Sequence, residues 1–245
     1  KLYNKLEIID EYAFNNADYI MFPCIEAEEP YYNNWDKYSS IHKNNVKKYF
    51  YVPTGIKMCV PVNDRNKIVS SYNIPNDSFL ISYVGRHNTI KGYDKLQLIA
   101  KKLFNELNNV QFIIAGREYP LVGLNDSRWH EIGWTKDAYS ILSASNVFIL
   151  PNKDTYFDLI FIEALSLGKI IVASNTGGNK FFARNKVEGV FLYNDINEAV
   201  EIIKKISCID DKERIKLEQN NKAFYLRYLT TTEFLKSYLN IIEKL

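Results

Sequence analysis

The chain has 245 residues, of which 47% are hydrophobic and 24% charged, and its net charge is +2 at neutral pH. This composition is that of a globular protein with a substantial core, and the interspersed charges do not favour nucleic acid as a partner. No run approaches the roughly 18 apolar residues of a membrane-spanning helix. The three cysteines are far apart and lack metal-type spacing, which is typical of a reducing compartment.

The first sixty residues predict too little structure for an independent domain. A helical pattern covers residues 1–18, and short strands are predicted at 19–22 and 49–52. Two strands and about two helices cannot bury a core of their own. We therefore interpret residues 1–56 as the tail of a preceding α/β domain and its linker.

The middle of the chain alternates short apolar runs with amphipathic segments. The predicted strands are 79–84, 110–115, 147–150, 170–173 and 187–192, and the predicted helices are 93–107, 137–144, 159–167 and 196–206. Near-continuous apolar strands separated by helices are typical of a parallel sheet that is covered on both faces. The sequence therefore predicts a doubly wound α/β domain over residues 57–206.

The C-terminal segment, 207–245, is predicted to be helical from residue 211 to the end. Thr230 and Glu233 have the spacing of a capping box, which marks a helix start. An apolar stripe then follows, at Phe234, Tyr238, Ile241 and Leu245. A stripe of this kind needs a surface to pack against, and we expect these helices to pack back on the N-terminal part.

A single carboxylate, Glu163, interrupts the apolar helical segment 159–167. On the helical period, its face is shared with Leu159, Ile160 and Leu167. We expect this face to point toward the core, where an ionised carboxylate without a partner is costly to bury. Glu163 is therefore a candidate for ligand contact, and the Gly177-Gly178 turn after the next strand is a place where a ligand can approach the backbone.

Two cations directly follow the first strand of the α/β domain. Arg86 and Lys91 lie in the segment 85–92, which begins where the strand 79–84 ends. Ligands of open parallel sheets bind beyond the carboxyl ends of the strands, so both cations are expected on the ligand side. A guanidinium and an ammonium suit a diphosphate, and the free N–H groups at the start of helix 159–167 also favour an anion.

These segments, in this order, resemble the donor-binding half of a family 4 glycosyltransferase. The resemblance is carried by Gly85-Arg86-x-x-x-x-Lys91-Gly92, by Glu163-Ala164-Leu165-Ser166-Leu167-Gly168 and by Thr176-Gly177-Gly178. It covers about residues 45–205 and implies a GT-B fold of two Rossmann-like domains. This chain would then be truncated, holding the donor domain and lacking most of the N-terminal acceptor domain.

The resemblance also implies residue roles. Arg86 and Lys91 would hold the diphosphate of a nucleotide-sugar donor, and Glu163 would bind its ribose hydroxyls, so these three are the candidate catalytic residues. Trp134 falls where the family usually contacts the nucleobase. The full set of candidate donor-binding residues is Gly85, Gly116, Arg117, Trp134, Thr155, Tyr156, Phe157, Asp158, Leu159, Gly177 and Gly178.

Two positions depart from the family's pattern. Thr155 stands where a glutamate commonly touches the donor sugar, and it brings a hydroxyl but no charge; the adjacent Asp154 is a candidate replacement. Asp158 stands where the family favours glycine, at the start of the phosphate-binding helix. It is either a simple N-cap or a carboxylate that disfavours a nearby phosphate.

The implied activity is transfer of a sugar from a UDP- or GDP-sugar to an acceptor hydroxyl, with retention of configuration and without a metal or other cofactor. The lack of an Asp-x-Asp pair agrees with the absence of a metal site. The acceptor would be a glycan or a lipid-linked molecule, and the setting cytoplasmic, at the inner face of a membrane in the full-length protein. Since transfer requires donor and acceptor to be held together, we expect this chain to bind a nucleotide sugar but to transfer poorly alone.

Two alternatives remain. One is a natural subunit that binds a nucleotide sugar and needs a separate acceptor-domain partner. The other is a different nucleotide-dependent enzyme. A GT-B-type sugar-nucleotide epimerase fits this class better than a dehydrogenase, because the segment 85–92 lacks the G-x-G-x-x-G turn that a dinucleotide requires.

Overall fold

The structure, a computed structural model, describes the backbone of residues 2–245 and the side chains from residue 6 onward. Its first elements are α1 (Leu2–Asn16), β1 (Ile20–Phe22), α2 (Glu29–Asn34), α3 (Tyr38–Asn45) and β2 (Tyr49–Tyr51). The strands β1 and β2 pair in parallel as a separate two-stranded sheet. Both strands fall where the sequence predicted them.

A six-stranded sheet forms the centre of the fold. Its strands are β3 (Phe79–Val84), β4 (Val110–Ala115), β5 (Trp129–Gly133), β6 (Val147–Leu150), β7 (Ile170–Ser174) and β8 (Val190–Tyr193). Their order is β5-β4-β3-β6-β7-β8, and every pairing is parallel. The predicted doubly wound α/β fold is confirmed, and the strand order reverses between β3 and β6.

Helices cover both faces of this sheet. They are α4 (Arg65–Ser71), α5 (Tyr93–Glu106), α6 (Ala138–Ala144), α7 (Leu159–Ser166), α8 (Asn179–Arg184) and α9 (Ile196–Ser207). Successive strand residues point to opposite faces, so Ile81 and Tyr83 pack with α5 and α9 while Leu80 packs with α4 and α6. Burial on both faces is the reason why the strands are nearly continuous apolar runs.

Three elements of the central domain were not predicted. β5 was missed because it is an edge strand whose side chains His130 and Glu131 are only half-buried, so its pattern is neither apolar nor clearly alternating. α4 and α8 have seven and six residues, too few to show a helical period. The last strand begins at Val190, not at residue 187, because Val187 belongs to the turn after α8.

Two helices complete the chain: α10 (Asp211–Tyr228) and α11 (Thr231–Ile242). α10 packs on α7, and the turn between α10 and α11 packs on the linker before the central domain. Ile56 N donates to Leu229 O at 2.9 Å, and Thr231 N donates to Ile56 O at 3.1 Å. Within α11 itself no residue is buried, and Tyr238 and Leu245 of its apolar stripe are exposed.

Candidate active site

Most of the candidate residues lie at the carboxyl ends of four strands. Arg86 follows β3, Arg117 follows β4, Thr155 lies in the loop after β6, and Gly177 follows β7. The site therefore spans the point between β3 and β6 where the strand order reverses. Open parallel sheets bind ligands at such switch points, because the loops on either side leave in opposite directions and open a crevice.

The loops after β3 and β4 are held against each other by glycine. Gly116 has a φ of +151°, and a Cβ there would lie only 1.9 Å from the carbonyl oxygen of Gly85. Gly85 N in turn donates to Ala115 O at 2.9 Å. This close approach fixes the backbone from which Arg86 and Arg117 project.

Both arginine side chains are exposed beyond these loops. The Tyr83 hydroxyl donates to the carbonyl oxygen of Arg86 at 2.8 Å, which fixes the backbone below the guanidinium. The arginines that form ion pairs among the described side chains are Arg128, Arg184 and Arg214. The guanidinium groups of Arg86 and Arg117 thus keep their donors for a ligand.

Lys91 is held differently, by an ion pair. Its Nζ lies 2.7 Å from Oδ2 of Asp158, and the pair is largely shielded from solvent, with exposed fractions of 24% and 17%. The Asn152 amide also donates to Oδ2 of Asp158. The loop that carries Lys91 packs closely on the backbone after β6 at Gly92. Its φ is +66°, and an added Cβ would lie 1.8 Å from Pro151 O.

This contact decides between the two interpretations of Asp158. The residue occupies the N-cap position of α7, but its side chain makes no capping hydrogen bond. The carboxylate instead turns toward Lys91. The first N–H groups of α7 therefore have no side-chain acceptor, so they remain able to bind an anion.

The predicted orientation of Glu163 is wrong. The face that it shares with Leu159 is the outer one, because Leu159 is 51% exposed and Glu163 is half-buried. The fully buried face carries Phe161, Ile162, Ala164 and Leu165. Periodicity failed here because α7 is apolar on both faces, so the pattern does not say which face meets the core.

Among the described residues, the Glu163 carboxylate has one hydrogen-bond partner, which the sequence did not predict. The Tyr139 hydroxyl, from α6, lies 3.4 Å from Oε1 of Glu163. Burial raises the pKa of Glu163, while the hydrogen bond from Tyr139 acts in the opposite direction and the nearby Asp158 adds to the increase. Burial and the Glu163 charge together raise the pKa of Tyr139 to about 12, so its hydroxyl stays a proton donor.

The segment 155–159 is fixed by the double-glycine turn. Gly177 has a φ of +44°, and a Cβ on it would lie 1.9 Å from Thr155 O. Gly178 N donates to this same oxygen at 3.2 Å, and the Thr155 side chain is buried. The turn also contacts the N-terminal part of the chain, because Gly177 N donates to Oε1 of Glu29 at 3.1 Å.

The aromatic candidates differ in their surroundings. Tyr156 is 51% exposed, and its ring centroid lies 5.3 Å from that of Tyr31. Phe157 packs against Phe181 and Phe182, with both centroid distances at 5.5 Å, which is a core contact. Trp134 is 72% exposed and follows β5, two strands away from β3 and so about 10 Å to one side of Arg86.

A buried histidine lies beneath the arginine loop and was given no role by the sequence. His87 is fully buried, and its ring stacks on Tyr93 with centroids 4.1 Å apart. Its Nε2 is 3.8 Å from Oε2 of Glu131, and neither ring nitrogen has a hydrogen-bond partner among the described atoms. Burial lowers the pKa of His87 and raises the pKa of Glu131, so both are driven toward their neutral forms.

The part of the chain that the structure describes has neither a cluster of metal-type ligands nor a membrane-spanning helix. No three His, Cys, Asp or Glu side chains come together as metal ligands there. None of the helices in that part is long and apolar enough to cross a bilayer.

The chain matches a known protein family. The model of the family described as "Glycosyl transferases group 1" matches residues 64–224. This range includes the central sheet, both cations and the α7 carboxylate, so it contains nearly all of the site described above.

Curated relatives are bacterial. The O-antigen biosynthesis glycosyltransferase WclY of Escherichia coli is 24% identical over 228 residues, which is 86% of this chain and 62% of the relative. The N,N'-diacetylbacillosaminyl-diphospho-undecaprenol alpha-1,3-N-acetylgalactosaminyltransferase of Campylobacter jejuni is 29% identical over 125 residues, or 49% and 33% of the two chains. The chain thus spans less than two thirds of the length of these relatives.

Solved structures show the same fold at low sequence identity. Anabaena Alr3699/HepE in complex with UDP and glucose has a TM-score of 0.74 at 16% identity, covering 99% of this chain and 67% of that one. Sucrose-phosphate synthase from Thermosynechococcus elongatus has a TM-score of 0.76 at 19% identity, covering 98% and 61%. These likenesses confirm the GT-B type of α/β architecture that the sequence predicted.

Proposed function

The chain belongs to the group 1 glycosyl transferases, and from that premise we propose that it supplies the donor-binding part of an enzyme that transfers a sugar from a nucleoside diphosphate to an acceptor hydroxyl. The observation that carries this proposal is that the exposed guanidinium of Arg86 and the uncapped start of α7 follow β3 and β6, which are neighbours in the sheet. The two lie on either side of the β3–β6 switch point, where a diphosphate has donors from both walls.

In this proposal Arg86 binds the diphosphate through its planar fork, which matches two phosphate oxygens. Lys91 contributes charge from the same loop, at the other end of the segment 85–92. Because Asp158 already holds its ammonium, an arriving phosphate has to compete with a carboxylate 2.7 Å away. We expect Lys91 to contribute less to donor affinity than Arg86 does.

Glu163 is proposed to accept hydrogen bonds from the ribose hydroxyls of the donor. An ionised carboxylate offers two oxygens, which can pair with two adjacent hydroxyls. The Tyr139 hydroxyl fixes one of these oxygens from the side of α6. The half-buried setting of Glu163 strengthens such bonds, because less water competes for its oxygens.

The proposed chemistry is a retaining transfer that needs no metal. The bond from the sugar's anomeric carbon to the diphosphate breaks, and its electron pair stays on the phosphate oxygen. The acceptor oxygen bonds to the anomeric carbon on the same face, and its proton passes to that departing oxygen. Arg86, Lys91 and the α7 N–H groups would stabilise the charge that develops on the diphosphate.

The acceptor is proposed to be a lipid-linked glycan, and the setting the cytoplasmic face of a membrane. Support comes from the printed functions of WclY, in O-antigen biosynthesis, and of the Campylobacter relative, whose name specifies a diphospho-undecaprenol. Acceptor-binding residues are proposed to lie in a domain that this sequence does not include. On this proposal the chain binds a donor but transfers slowly by itself.

Calorimetric titration with UDP, GDP and ADP tests the donor site. We expect one nucleotide to bind selectively, and Arg86→Ala and Glu163→Ala to weaken it by roughly tenfold or more, as charged hydrogen-bond partners do. Arg227→Ala, an exposed arginine on α10, is the matched control and should bind normally. Folded protein that binds none of the three nucleotides would contradict the proposal.

A further inference from the structure

A second concave surface lies on the α5 and α9 side of the sheet. It is a groove of about 860 Å³ between α5, the start of α9 and the ends of β6, β7 and β8. Neither Arg86 nor Glu163 lines it. It is therefore distinct from the donor site, although Asn152 in its wall also donates to Asp158, the partner of Lys91.

The groove is lined by more positive than negative side chains. Four lysines line it: Lys95, Lys101, Lys102 and Lys153. Among the described side chains, the ion-paired lysines are all elsewhere, namely Lys37, Lys91, Lys169, Lys180, Lys204, Lys216 and Lys236. The single lining carboxylate, Asp195, accepts from Asn197 N at 2.8 Å and Glu198 N at 3.0 Å as the cap of α9.

Buried polar groups in the lining also lack partners. Tyr193 is 3% exposed, and its hydroxyl has no hydrogen-bond partner among the described atoms. Asn152 is fully buried; its amide nitrogen donates to Asp158, but its Oδ1 accepts from no described group. Buried polar groups are normally paired, so the two atoms indicate a ligand that offers both an acceptor and a hydroxyl donor.

Two of the lysines share one face of α5. Lys95 and Lys102 are two turns apart on α5, so they follow each other at about 10 Å along the helix axis. Lys153 reaches the groove from the loop after β6. Ammonium groups on two walls can surround a phosphate, and Tyr193 and Asn152 also belong to the lining.

We propose that this groove binds a phosphate ester that carries a free hydroxyl, of the glycerol phosphate type. The lysines pair with the phosphate, the Tyr193 hydroxyl donates to one of its oxygens, and Asn152 Oδ1 accepts from the ligand's hydroxyl. The same chemical group occurs as free glycerol phosphate and as the headgroup of phosphatidylglycerol, so either source fits the groove. This site does not depend on the proposed donor site.

Binding is measured with two probes on the whole chain. Glycerol phosphate is titrated by calorimetry, and vesicles of phosphatidylcholine with or without phosphatidylglycerol are tested by cosedimentation. Lys95→Gln/Lys102→Gln should weaken binding of whichever probe is recognised by on the order of tenfold or more. Lys43→Gln/Lys47→Gln removes the same charge from an exposed surface in the N-terminal part and should bind normally.

Tyr193→Phe distinguishes a built site from diffuse charge. It should weaken binding several-fold without lowering thermal stability, since the hydroxyl that it removes has no partner among the described atoms. Binding of free glycerol phosphate assigns the soluble source, and binding only to phosphatidylglycerol vesicles assigns the headgroup. Binding of neither probe, equal losses in the control pair, or full affinity in Tyr193→Phe would overturn the proposal.

UDP titration of the same variants keeps the two proposals separate. The groove variants should bind UDP as the unmodified chain does. If no variant binds any nucleotide while the lysine-dependent binding persists, the proposed donor function fails and the groove stands.

Discussion

The ammonium of Lys91 and the carboxylate of Asp158 form an ion pair at 2.7 Å across two loops that are 67 residues apart in the chain. The cation expected to meet a diphosphate is therefore engaged before any ligand arrives. Asp158 also receives the Asn152 amide, so the pair belongs to a small polar network at the switch point. Asp158 therefore competes with a phosphate for the Lys91 ammonium.

Removal of this competitor should strengthen nucleotide binding. Asp158→Asn keeps the shape of the side chain but frees the Lys91 ammonium, and we expect a UDP affinity about three- to tenfold higher, measured by calorimetry. The gain should shrink at high salt, where charges are screened. Asp126→Asn breaks a comparable ion pair, with Arg128, far from the site and serves as control. A lower affinity in Asp158→Asn would mean that the carboxylate positions Lys91 for the ligand.

The partly buried carboxylate of Glu163 should lower the free energy of unfolding at neutral pH. Burial raises its pKa, so the folded state holds the proton more tightly than the unfolded chain does. Its contribution to stability is then greatest below the ordinary glutamate pKa and is lost as the pH rises through the folded value. At neutral pH, Glu163→Gln is expected to be more stable by about 0.5–1 kcal/mol while binding UDP more weakly.

Urea denaturation at several pH values measures this effect. The stability difference between Glu163→Gln and the unmodified chain should narrow as the pH falls toward the acid range. Glu243→Gln, at an exposed position after α11, should show no such difference. A loss of stability in Glu163→Gln at neutral pH would contradict the assigned cost of burial.

The glycine contacts at the strand ends are expected to be essential for stability. In Gly116→Ala the new Cβ would lie 1.9 Å from Gly85 O, which is backbone and cannot move aside cheaply. We expect a loss of about 2–4 kcal/mol in the free energy of unfolding, measured with urea. Gly133→Ala is the matched control: its φ is also positive, at +68°, but nothing lies within 4 Å, so it should lose only about 1–2 kcal/mol from strain. Equal losses would assign the effect to backbone strain alone.

The sequence predicted the sheet well because its strands are buried on both faces. Residues 79–84 and 110–115 were located to the residue, since a run of apolar side chains has sharp ends where the polar loop begins. β5 was missed because an edge strand does not need that composition. The position of Arg86 and Lys91 on the ligand side could also be predicted. It requires only that they follow a strand of a parallel sheet, and the order of elements along the chain shows this.

The contacts within the site were not predictable in this way. Tyr139 and Glu163 lie 24 residues apart on two helices, and their contact depends on how α6 and α7 pack. The orientation of α7 was itself wrong, because both of its faces are apolar. Local patterns identify which side chains are unusual, but pairing between elements depends on tertiary packing, which a single sequence does not encode locally.

The buried His87 should make the protein sensitive to acid. Burial lowers its pKa from the ordinary value of 6.5, so the unfolded chain binds a proton that the folded state resists. Stability is therefore present above the unfolded pKa and declines as the pH falls below it. Glu131, whose pKa is raised, gains a proton on folding in the acid range and opposes part of this decline.

Replacement of His87 measures its contribution to the loss of stability at acid pH. His87→Phe keeps a flat ring against Tyr93 and removes two nitrogens that have no partner among the described atoms, so stability at neutral pH should be unchanged or slightly higher. Between about pH 6.5 and 5 the variant should lose less stability than the unmodified chain, as measured by urea midpoints. His130→Gln controls for a half-buried histidine whose pKa is also lowered by burial. An acid decline of the same slope in His87→Phe and the unmodified chain would show that His87 is not the group that titrates.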